Sequence, residues 1–421
     1  MAFEYKEHFS YLTNICLNLT DACNFACRYC FVEQNPHYMT YEVALKAVDF
    51  ILDNLEKKRK YLNDPKIKGS ITYFGGEPTL MWDSIIVPLT KHIKENKLPI
   101  HLNMTTNASL LNEERIQFLK DNNIAILLSM DGDKATQCFN RPARDPNINS
   151  FDVVEKNIPA ILKAFPQTTY RATIYAPTVH HTFDNYLYAI QQGFKNIYFL
   201  PDSRHAWTED EKKTLKLELD KIFSFYSYCF SKNMLPPINF RLINRGYENI
   251  IKHDLKIKMN TLGDLEKPHP IMRCGLGTTL GSIGYDGNIY GCQEQTSKNI
   301  ESHFYIGNIF NGGINKNLHE KLLKSFYQPT IQTCENKKLC EACPLRQICH
   351  DFCCPSTSWD MFNNYFIDSE IHCLWTRWIF DNARYMMKKM VEAGNEAFRF
   401  YLYETCRYKD NFKKEGEECN V

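Results

Sequence analysis

The sequence has no segment of about 18 consecutive apolar residues, so it predicts no membrane-spanning helix. Its first residues mix acidic and basic side chains and lack the apolar stretch of a secretory signal. Neither sign of charge dominates, because 50 basic residues face 49 acidic ones. A global attraction to nucleic acid or to an anionic surface is therefore excluded. Together these absences predict a cytoplasmic protein that binds neither membranes nor nucleic acid.

Cysteine, in contrast, is abundant, with 17 residues. Structural disulfides are rare in the cytosol, and an odd number of cysteines fits a disulfide framework poorly. Four cysteines lie between residues 16 and 30 and nine between residues 274 and 373, with only Cys138 and Cys229 in between. This grouping predicts metal sites or reactive thiols.

Six apolar runs with β-strand character alternate with six amphipathic stretches of helical length, which predicts parallel βα units. Polar or glycine-rich residues recur where the predicted strands end, and this favours a full or partial (β/α) barrel over a doubly wound open sheet. The predicted strands cover residues 14–20, 69–75, 100–107, 124–130, 169–176 and 196–201, and the predicted helices cover 40–59, 82–96, 111–121, 150–164, 181–193 and 208–231.

Three cysteines, Cys23, Cys27 and Cys30, follow the first predicted strand with C-x3-C-x2-C spacing. Three thiolates on a short loop suit three irons of a [4Fe–4S] cluster and leave the fourth iron open. An open metal position indicates chemistry. The alternative is one face of a helix, in which the cysteines are buried as small apolar residues. The position directly after a strand favours the cluster.

These cysteines, together with Tyr29 and the segment Gly75-Gly76-Glu77-Pro78, resemble the motifs of the radical S-adenosylmethionine (radical SAM) superfamily. The resemblance covers roughly residues 12–230 and implies an α/β fold with a partial (β/α)6 barrel of TIM type. It also implies that the open iron binds the amino and carboxylate groups of SAM. One electron from the cluster then cleaves SAM, and the resulting 5′-deoxyadenosyl radical abstracts hydrogen.

Residues near the predicted strand ends are candidates for contacts with SAM. Gly75 and Gly76 allow a close backbone approach, and Glu77 either complements a positive charge or forms a salt bridge. Arg171 either pairs with the methionine carboxylate or forms an ion pair inside the barrel. The further candidates are Pro78 at the end of the Gly-Gly-Glu-Pro segment, Asn107 and Ser129 as hydrogen-bonding groups, Arg141 as a second cation, and Tyr29 and Leu200 as neighbours of the adenine or as core residues.

Seven cysteines of the C-terminal group form a second pattern. They divide poorly into zinc tetrads, which are the competing interpretation, and better into one four-ligand and one three-ligand iron–sulfur cluster. Their spacing resembles the SPASM extension of radical SAM enzymes, which implies two auxiliary [4Fe–4S] clusters. By this resemblance, one cluster is held by Cys274, Cys292 and Cys353, and the other by Cys340, Cys343, Cys349 and Cys373.

The first auxiliary cluster lacks a fourth cysteine, for which Cys334, Cys354 or a substrate thiolate is the candidate. The chain is predicted to divide into four parts. These are the barrel over residues 1–231, a connector over 232–270, a small α+β SPASM domain over 271–374, and C-terminal helices with a tail over 375–421.

Radical SAM proteins with a SPASM extension mostly modify peptides or proteins. The resemblance therefore implies an oxidoreductase that forms a thioether or carbon–carbon crosslink in a ribosomally synthesised peptide. The alternatives are anaerobic sulfatase maturation by formylglycine formation and peptide epimerisation. Gln293 stands where sulfatase-maturing enzymes have a general-base aspartate, which counts against that alternative, although Glu294 follows. A non-catalytic zinc or iron–sulfur scaffold is the competing class.

The implied cofactors are SAM and three [4Fe–4S] clusters. The implied partners are a precursor peptide or protein substrate and an electron donor such as flavodoxin or ferredoxin. Only 22 residues precede Cys23, so a leader-binding domain is not expected there, and a separate leader-binding protein is a further candidate partner. The aromatic-rich stretch 375–403 either binds a leader peptide or packs on the barrel.

Overall fold

The structure is a computed structural model that describes residues 4–254, 275–296, 300, 302–327, 354–363 and 369–405. The strands are β1 Asn14–Asn18, β2 Gly69–Phe74, β3 Ile100–Thr106, β4 Ala125–Ser129, β5 Thr169–Ile174, β6 Asn196–Pro201, β7 Asn239–Phe240, β8 Leu280–Ile283, β9 Asn288–Tyr290, β10 Tyr305–Asn308 and β11 Gly313–Ile314.

The α-helices of the described residues include a helix for each of the six helical stretches expected from the sequence. They are α1 Tyr41–Leu62, α2 Val87–Glu95, α3 Glu113–Asp121, α4 Lys134–Asn140, α5 Asp152–Glu155, α6 Ile158–Ala164, α7 Thr182–Gln191, α8 Glu209–Ser231, α9 Arg241–Asp254, α10 Lys316–Tyr327, α11 Pro355–Phe362, α12 Glu370–Glu392 and α13 Glu396–Thr405. None of the described helices is both long and apolar enough to cross a membrane.

The described strands form one sheet in the order β11-β10-β9-β8-β1-β2-β3-β4-β5-β6-β7. Strands β1 to β7 are parallel neighbours in chain order, and β8 lies parallel to the other side of β1. From β8 to β11 the neighbours are antiparallel. The predicted parallel α/β fold is thus confirmed. The segment after residue 275 extends the same sheet, because β8 pairs with β1.

Side chains of the central strands alternate between two environments. In β5, Tyr170 and Ala172 are buried in the core, whereas Arg171 and Thr173 face a cavity. The same alternation holds in β4 and β6. Because successive side chains of a strand point to opposite faces, one face of the sheet builds the apolar core and the other lines the cavity.

Local signals explain where the long helices begin and end. Thr40 accepts a hydrogen bond from the backbone N–H of Val43 at the start of α1, and Asn63 ends this helix with a left-handed φ of 50°. Thr208 and Glu211 cap the start of α8 reciprocally. Both helices were expected from the sequence, although α1 continues three residues beyond its predicted end at residue 59.

The C-terminal helices pack onto the connector and onto the end of α8. Tyr247 on α9 donates from its hydroxyl group to the sulfur of Met386 on α12 at 3.1 Å. On α13, Phe398 and Tyr401 place their rings 5.1 and 5.3 Å from the ring of Phe230. Much of the aromatic stretch is therefore core, in agreement with the packing interpretation.

Candidate functional site

A cavity of about 730 Å³ opens where the parallel strands end. Its wall includes the loop after β1, the ends of β2 to β6, and residues of α9, α11 and α12. Pro78, one of the ten residues predicted to contact the cofactor, begins a short buried 3-10 helix beside it. The other nine line the cavity, namely Tyr29, Gly75, Gly76, Glu77, Asn107, Ser129, Arg141, Arg171 and Leu200.

The loop after β1 carries the first cysteine motif, and its conformation is not helical. This excludes the interpretation of the spacing as one face of a helix. The loop is supported by the segment 140–144, because Ala26 donates its backbone N–H to the carbonyl of Pro142 at 2.8 Å, and Arg28 donates to Asn140 at 3.0 Å. All three cysteines of the motif line the cavity, namely Cys23, Cys27 and Cys30.

The glycine pair after β2 lies against the residues that precede the cysteine loop. A Cβ atom on Gly76 would lie 2.2 Å from the carbonyl oxygen of Ala22, and one on Gly75 would lie 2.3 Å from that of Thr20. The N–H of Gly76 donates to Thr20 at 2.8 Å. The two glycines therefore allow a close approach of backbone to backbone, which positions the start of the cysteine loop.

Glu77 is buried and its carboxylate is fully engaged by hydrogen bonds. Oε1 accepts from the backbone N–H and Oγ1 of Thr79 at 3.0 and 2.5 Å and from Oγ1 of Thr106 at 2.7 Å. Oε2 accepts from the backbone N–H of Asn107 at 2.8 Å. Burial raises the pKa of this carboxyl group, and the hydrogen bonds oppose the rise. Glu77 thus ties the end of β2 to the end of β3 and forms no salt bridge with another described residue.

Asn107 continues this connection towards the cysteine loop. Its Nδ2 donates to Oδ1 of Asn24 at 3.0 Å, and its Oδ1 accepts from the backbone N–H of Ser109 at 2.9 Å. Asn24 lies between the first two cysteines of the motif. The side chain of Asn107 therefore holds the loop in position from the end of β3.

A buried carboxylate, Asp131, organises the neighbouring wall and was not among the predicted site residues. It accepts from the hydroxyl group of Tyr29, from Nη2 of Arg141 at 2.9 Å, from Nδ2 of Asn140 at 3.1 Å and from the backbone N–H of Thr173 at 2.9 Å. Asp131 lies two residues after the end of β4, and only the folded chain assembles its four donors.

Arg171 lies on β5 and extends into the cavity. Its guanidinium carbon is 5.1 Å from the centre of the Tyr198 ring, and its Nη1 donates to the carbonyl of Ala172. Burial lowers the pKa of Arg171, because the charged form loses solvation. No acidic side chain of the described residues lies within 4.0 Å of its guanidinium group, so the predicted ion pair inside the barrel is not seen among them.

Arg204, in the loop after β6, joins the barrel to the C-terminal segments, and no sequence pattern indicated it. Its Nη2 lies 2.7 Å from Oε2 of Glu294 and 3.3 Å from Oδ2 of Asp360. Its guanidinium carbon is 5.4 Å from the ring of Phe31, next to the cysteine motif. Arg204, Glu294 and the thiol-bearing Cys354 all line the cavity.

The second cysteine group is described only in part. Cys292 is buried two residues after the end of β9, in the connection to β10, and Cys373 is part-buried on α12. The remaining predicted ligands of the auxiliary clusters lie outside the described residues, as does Cys334; these ligands are Cys274, Cys340, Cys343, Cys349 and Cys353.

The three thiols of the first motif fit an iron–sulfur cluster better than a single ion. Within the described ranges, no three His, Cys, Asp or Glu side chains converge closely enough to hold one metal ion. A cubane cluster takes one thiolate at each of several corners, so its ligands stand apart. Burial raises the pKa of Cys27 to about 11, and burial and then Glu77 raise that of Cys23. Cluster binding must therefore displace protons from both thiols.

The fold and the site define an α/β protein in which three cysteines and a set of polar strand ends converge on one cavity. The family described as the Radical SAM superfamily matches residues 17–187. Residues 17–187 therefore form a Radical SAM domain, and the comparisons indicate a radical SAM enzyme that acts on a peptide or protein.

Relatives and solved structures agree with this assignment. The cysteine-type anaerobic sulfatase-maturating enzyme of Clostridium perfringens is 24% identical over 288 residues, which are 65% of this chain and 72% of the relative. The radical SAM cyclopropyl synthase TigE of Paramaledivibacter caminithermalis is 24% identical over 158 residues, 34% of this chain and 32% of the relative.

Two solved structures share the fold. Tagged anSMEcpe with bound AdoMet has a TM-score of 0.66 and 19% identity, with 94% of this chain and 98% of that chain covered. Streptococcus suis SuiB bound to the precursor peptide SuiA has a TM-score of 0.53 and 16% identity, with 86% and 76% covered.

Proposed function

We propose that this radical SAM enzyme oxidises a side chain of a peptide or protein, and that its reaction is the conversion of a substrate cysteine to formylglycine. The proposal includes a partial (β/α)6 barrel over residues 1–231, a SPASM domain over 271–374, and SAM with three [4Fe–4S] clusters as cofactors. The sulfatase-maturating relatives favour formylglycine formation, the alternative of the sequence analysis, over peptide crosslinking.

The observation that carries the proposal is the composition of the cavity wall. The thiols of the cysteine motif, nine of the candidate SAM contacts and residues of α9, α11 and α12 all face the same volume of about 730 Å³. Ligand pockets commonly have volumes of about 300–1,000 Å³. This cavity therefore has room for a SAM molecule and a substrate side chain together, which hydrogen transfer between them requires.

When bound, SAM and the clusters supply a hydrogen-abstracting radical and an acceptor for a second electron. A cysteine side chain becomes a thioaldehyde by losing two hydrogens, one as an atom and one as a proton with an electron. Water then replaces the sulfur, which leaves as hydrogen sulfide. The chain must provide the group that accepts the proton and must position the side chain.

Two carboxylates of the cavity wall are candidates for this base. Asp202 lies at the end of β6, and burial raises its pKa, which makes it a stronger proton acceptor. Glu294 lies two residues after Cys292 but is paired with Arg204. Glu77, the remaining carboxylate among the described lining residues, already accepts four hydrogen bonds.

Crosslinking of a ribosomally made peptide is the second candidate. It is favoured by Gln293, whose amide cannot accept a proton as the expected aspartate would, and which lines the cavity. Both reactions remove two hydrogens from the substrate, so they differ in the product and not in the initial hydrogen transfer.

Anaerobically reconstituted protein, SAM, a reductant and a cysteine-containing peptide test the proposal. We expect iron in the amount of three clusters, peptide-dependent release of 5′-deoxyadenosine, and a product that reacts with a hydrazide. Alanine variants of Cys23, Cys27 and Cys30 should each lose SAM cleavage. Cys138→Ala removes a part-buried thiol outside the cavity wall and serves as the control.

The outcomes separate the candidates. A product that lacks two hydrogens and does not react with hydrazide supports crosslinking and contradicts formylglycine formation. A colourless, zinc-loaded protein without SAM cleavage contradicts both. Within the first candidate, Asp202→Asn and Glu294→Gln identify the base, because the variant that removes it should lower kcat much more than the other.

A further inference from the structure

The loop that carries the first cysteine motif is closed at its base by the segment that follows it. Thr20 and Tyr38 form an isolated antiparallel bridge, and Oγ1 of Thr20 donates to the carbonyl of His37 at 2.6 Å. All three cysteines of the motif lie between these two ends of the loop. The arrangement of the three thiols therefore depends on how firmly the two ends are held.

Two side chains reinforce this closure. Asp21 is 1% exposed, and its Oδ1 accepts a hydrogen bond from Nδ2 of Asn18 on β1 at 2.7 Å. Its Oδ2 lies 3.3 Å from Nδ1 of His37. Because a carboxylate only accepts hydrogen bonds, the imidazole is the donor in this contact. The side chain of His37 thus ties the end of the loop to its buried start.

The imidazole ring also contacts the part of the sheet that follows residue 275. The ring of Tyr285 lies nearly parallel to that of His37, with 4.4 Å between the ring centres and 10° between the planes. Tyr285 belongs to the turn between β8 and β9. Since β8 runs parallel to β1, with Ile283 opposite Leu17, this turn lies beside the point where the cysteine loop begins.

The turn that carries Tyr285 is fixed by its own hydrogen bonds. The N–H of Gly284 donates to the carbonyl of Asn288 at 2.9 Å, and the N–H of Gly287 donates to Gly284 at 3.0 Å. The carboxylate of Asp286 accepts from the N–H and from Nδ2 of Asn288 at 3.0 and 2.6 Å. The ring of Tyr285 is therefore held by a part of the sheet that is separate from the cysteine loop.

We propose that His37 and Tyr285 are positioning residues for the iron–sulfur cluster that binds SAM. His37 connects the buried Asp21 to the ring of Tyr285, so that the base of the cysteine loop is fixed against the sheet. Neither residue is among the described residues that line the cavity, so both act through the loop and not on SAM itself. The inference goes beyond the proposed function, because it concerns SAM binding at the cluster and not the side chain that is modified.

Four variants separate the two contacts of His37. His37→Phe keeps a ring for the stack but loses the contact with Asp21, whereas His37→Gln keeps a donor but loses the ring. Tyr285→Phe keeps its ring, and Tyr285→Leu removes it. The matched control is Tyr61→Leu on α1, outside the cysteine loop, because the Tyr61 ring forms the same kind of stack with His8, at 4.3 Å and 16°.

Each variant is reconstituted as the full-length enzyme, and its iron content is measured. SAM is then titrated to obtain the Kd, and the EPR spectrum of the reduced enzyme is recorded with and without SAM. The difference between the two spectra describes the cluster to which SAM binds. A purely structural role of the two residues would change the iron content but neither the Kd nor this difference spectrum.

We expect His37→Gln and Tyr285→Leu each to raise the Kd for SAM about three- to tenfold, the factor to which one aromatic pair corresponds, and to broaden the difference spectrum. His37→Phe should also raise the Kd, because the ring alone leaves Asp21 unconnected. The double variant of His37→Gln and Tyr285→Leu should be no worse than either single variant, because both remove the same contact. Tyr285→Phe and Tyr61→Leu should match the wild-type enzyme.

An unchanged Kd and an unchanged difference spectrum in Tyr285→Leu at full iron content would overturn the inference. An equal rise of the Kd in Tyr61→Leu would overturn it as well, because any lost stack would then have the same effect. Additive effects in the double variant would contradict a joint action of the two residues. Because the side chain of His37 is 44% exposed, its variants should fold and keep the test decisive even where Tyr285→Leu does not.

Discussion

Asp131 provides the most demanding test of how the site is built. Its side chain is fully buried and that of Arg141 is 9% exposed, and their ion pair spans 2.9 Å. The same carboxylate accepts from the hydroxyl group of Tyr29, between the second and third cysteines of the motif. Asp131→Asn has nearly the same volume but removes the charge and exchanges an acceptor for a donor.

The expected cost follows from the burial of the pair. Removing one partner of a buried ion pair leaves the other charge uncompensated, which typically costs about 3–5 kcal/mol of unfolding free energy. In this variant, the guanidinium group of Arg141 keeps its charge in a largely buried position without its carboxylate partner. The Tyr29 hydroxyl group also loses its best acceptor, so the cysteine loop should become less ordered and SAM affinity should fall.

Urea unfolding of the metal-free chain measures the stability change, and titration of the reconstituted enzyme with SAM measures the change at the site. The control is Asp152→Asn, which breaks the exposed pair of Asp152 and Lys134, whose side chains are 53% and 57% exposed. It should leave both measurements nearly unchanged, because exposed pairs contribute little. Equal destabilisation by the two substitutions would refute the argument that burial of the Asp131 pair decides its contribution.

Three further predictions follow from other contacts. Gly76→Ala should lower iron incorporation, because the new Cβ would lie 2.2 Å from a carbonyl oxygen before the cysteine loop. Gly394→Ala is the control and should not lower it, because its new Cβ would have no atom within 4 Å. Equal iron contents in the two variants would contradict the role of Gly76 in positioning the loop. Burial lowers the pKa of His319 from 6.5 to about 4, so the unfolded chain binds a proton at this residue more readily than the folded chain does. The free energy of unfolding should therefore fall by up to about 3 kcal/mol as the pH drops from 6.5 to 4. Urea unfolding across this range should show a smaller slope for His319→Gln, and exposed His101→Gln should keep the wild-type slope. Arg204→Gln leaves two carboxylates without their cation and should lower the free energy of unfolding by about 1–3 kcal/mol in the same assay. An unchanged free energy of unfolding would contradict a bridging role of Arg204.

The sequence predicted those features that depend on neighbours along the chain. The six parallel strands and their helices follow from alternation and periodicity, and caps such as Thr40 and Thr208 confirm the start of two helices. The cysteine spacing placed three thiols on one loop, and the glycine pair was expected to allow a close approach. The approach was predicted towards the cofactor, and in the structure the glycines line the cavity and also lie close to the backbone of Thr20 and Ala22.

Other features could not be predicted, because they join segments that are distant in sequence. Glu77 was expected either to complement a positive charge or to form a salt bridge, and its hydrogen bonds from the end of the neighbouring strand were not predicted. The donors of Asp131 come from the cysteine loop, from α4 and its end, and from β5. Arg204 reaches across to the C-terminal segments at Glu294 and Asp360, and no motif contains it.

The sequence by itself determined the class of the protein and the position of its cluster loop, because strand alternation, helix capping and ligand spacing are encoded within a few residues. Only the tertiary structure decided which side chains meet in the cavity. The pairing of β8 with β1 and the packing of α9 against α12 bring residues more than a hundred positions apart into contact. Such contacts depend on burial and geometry across the whole fold. For that reason the partners of Asp131 and of Arg204 became visible only in the folded chain.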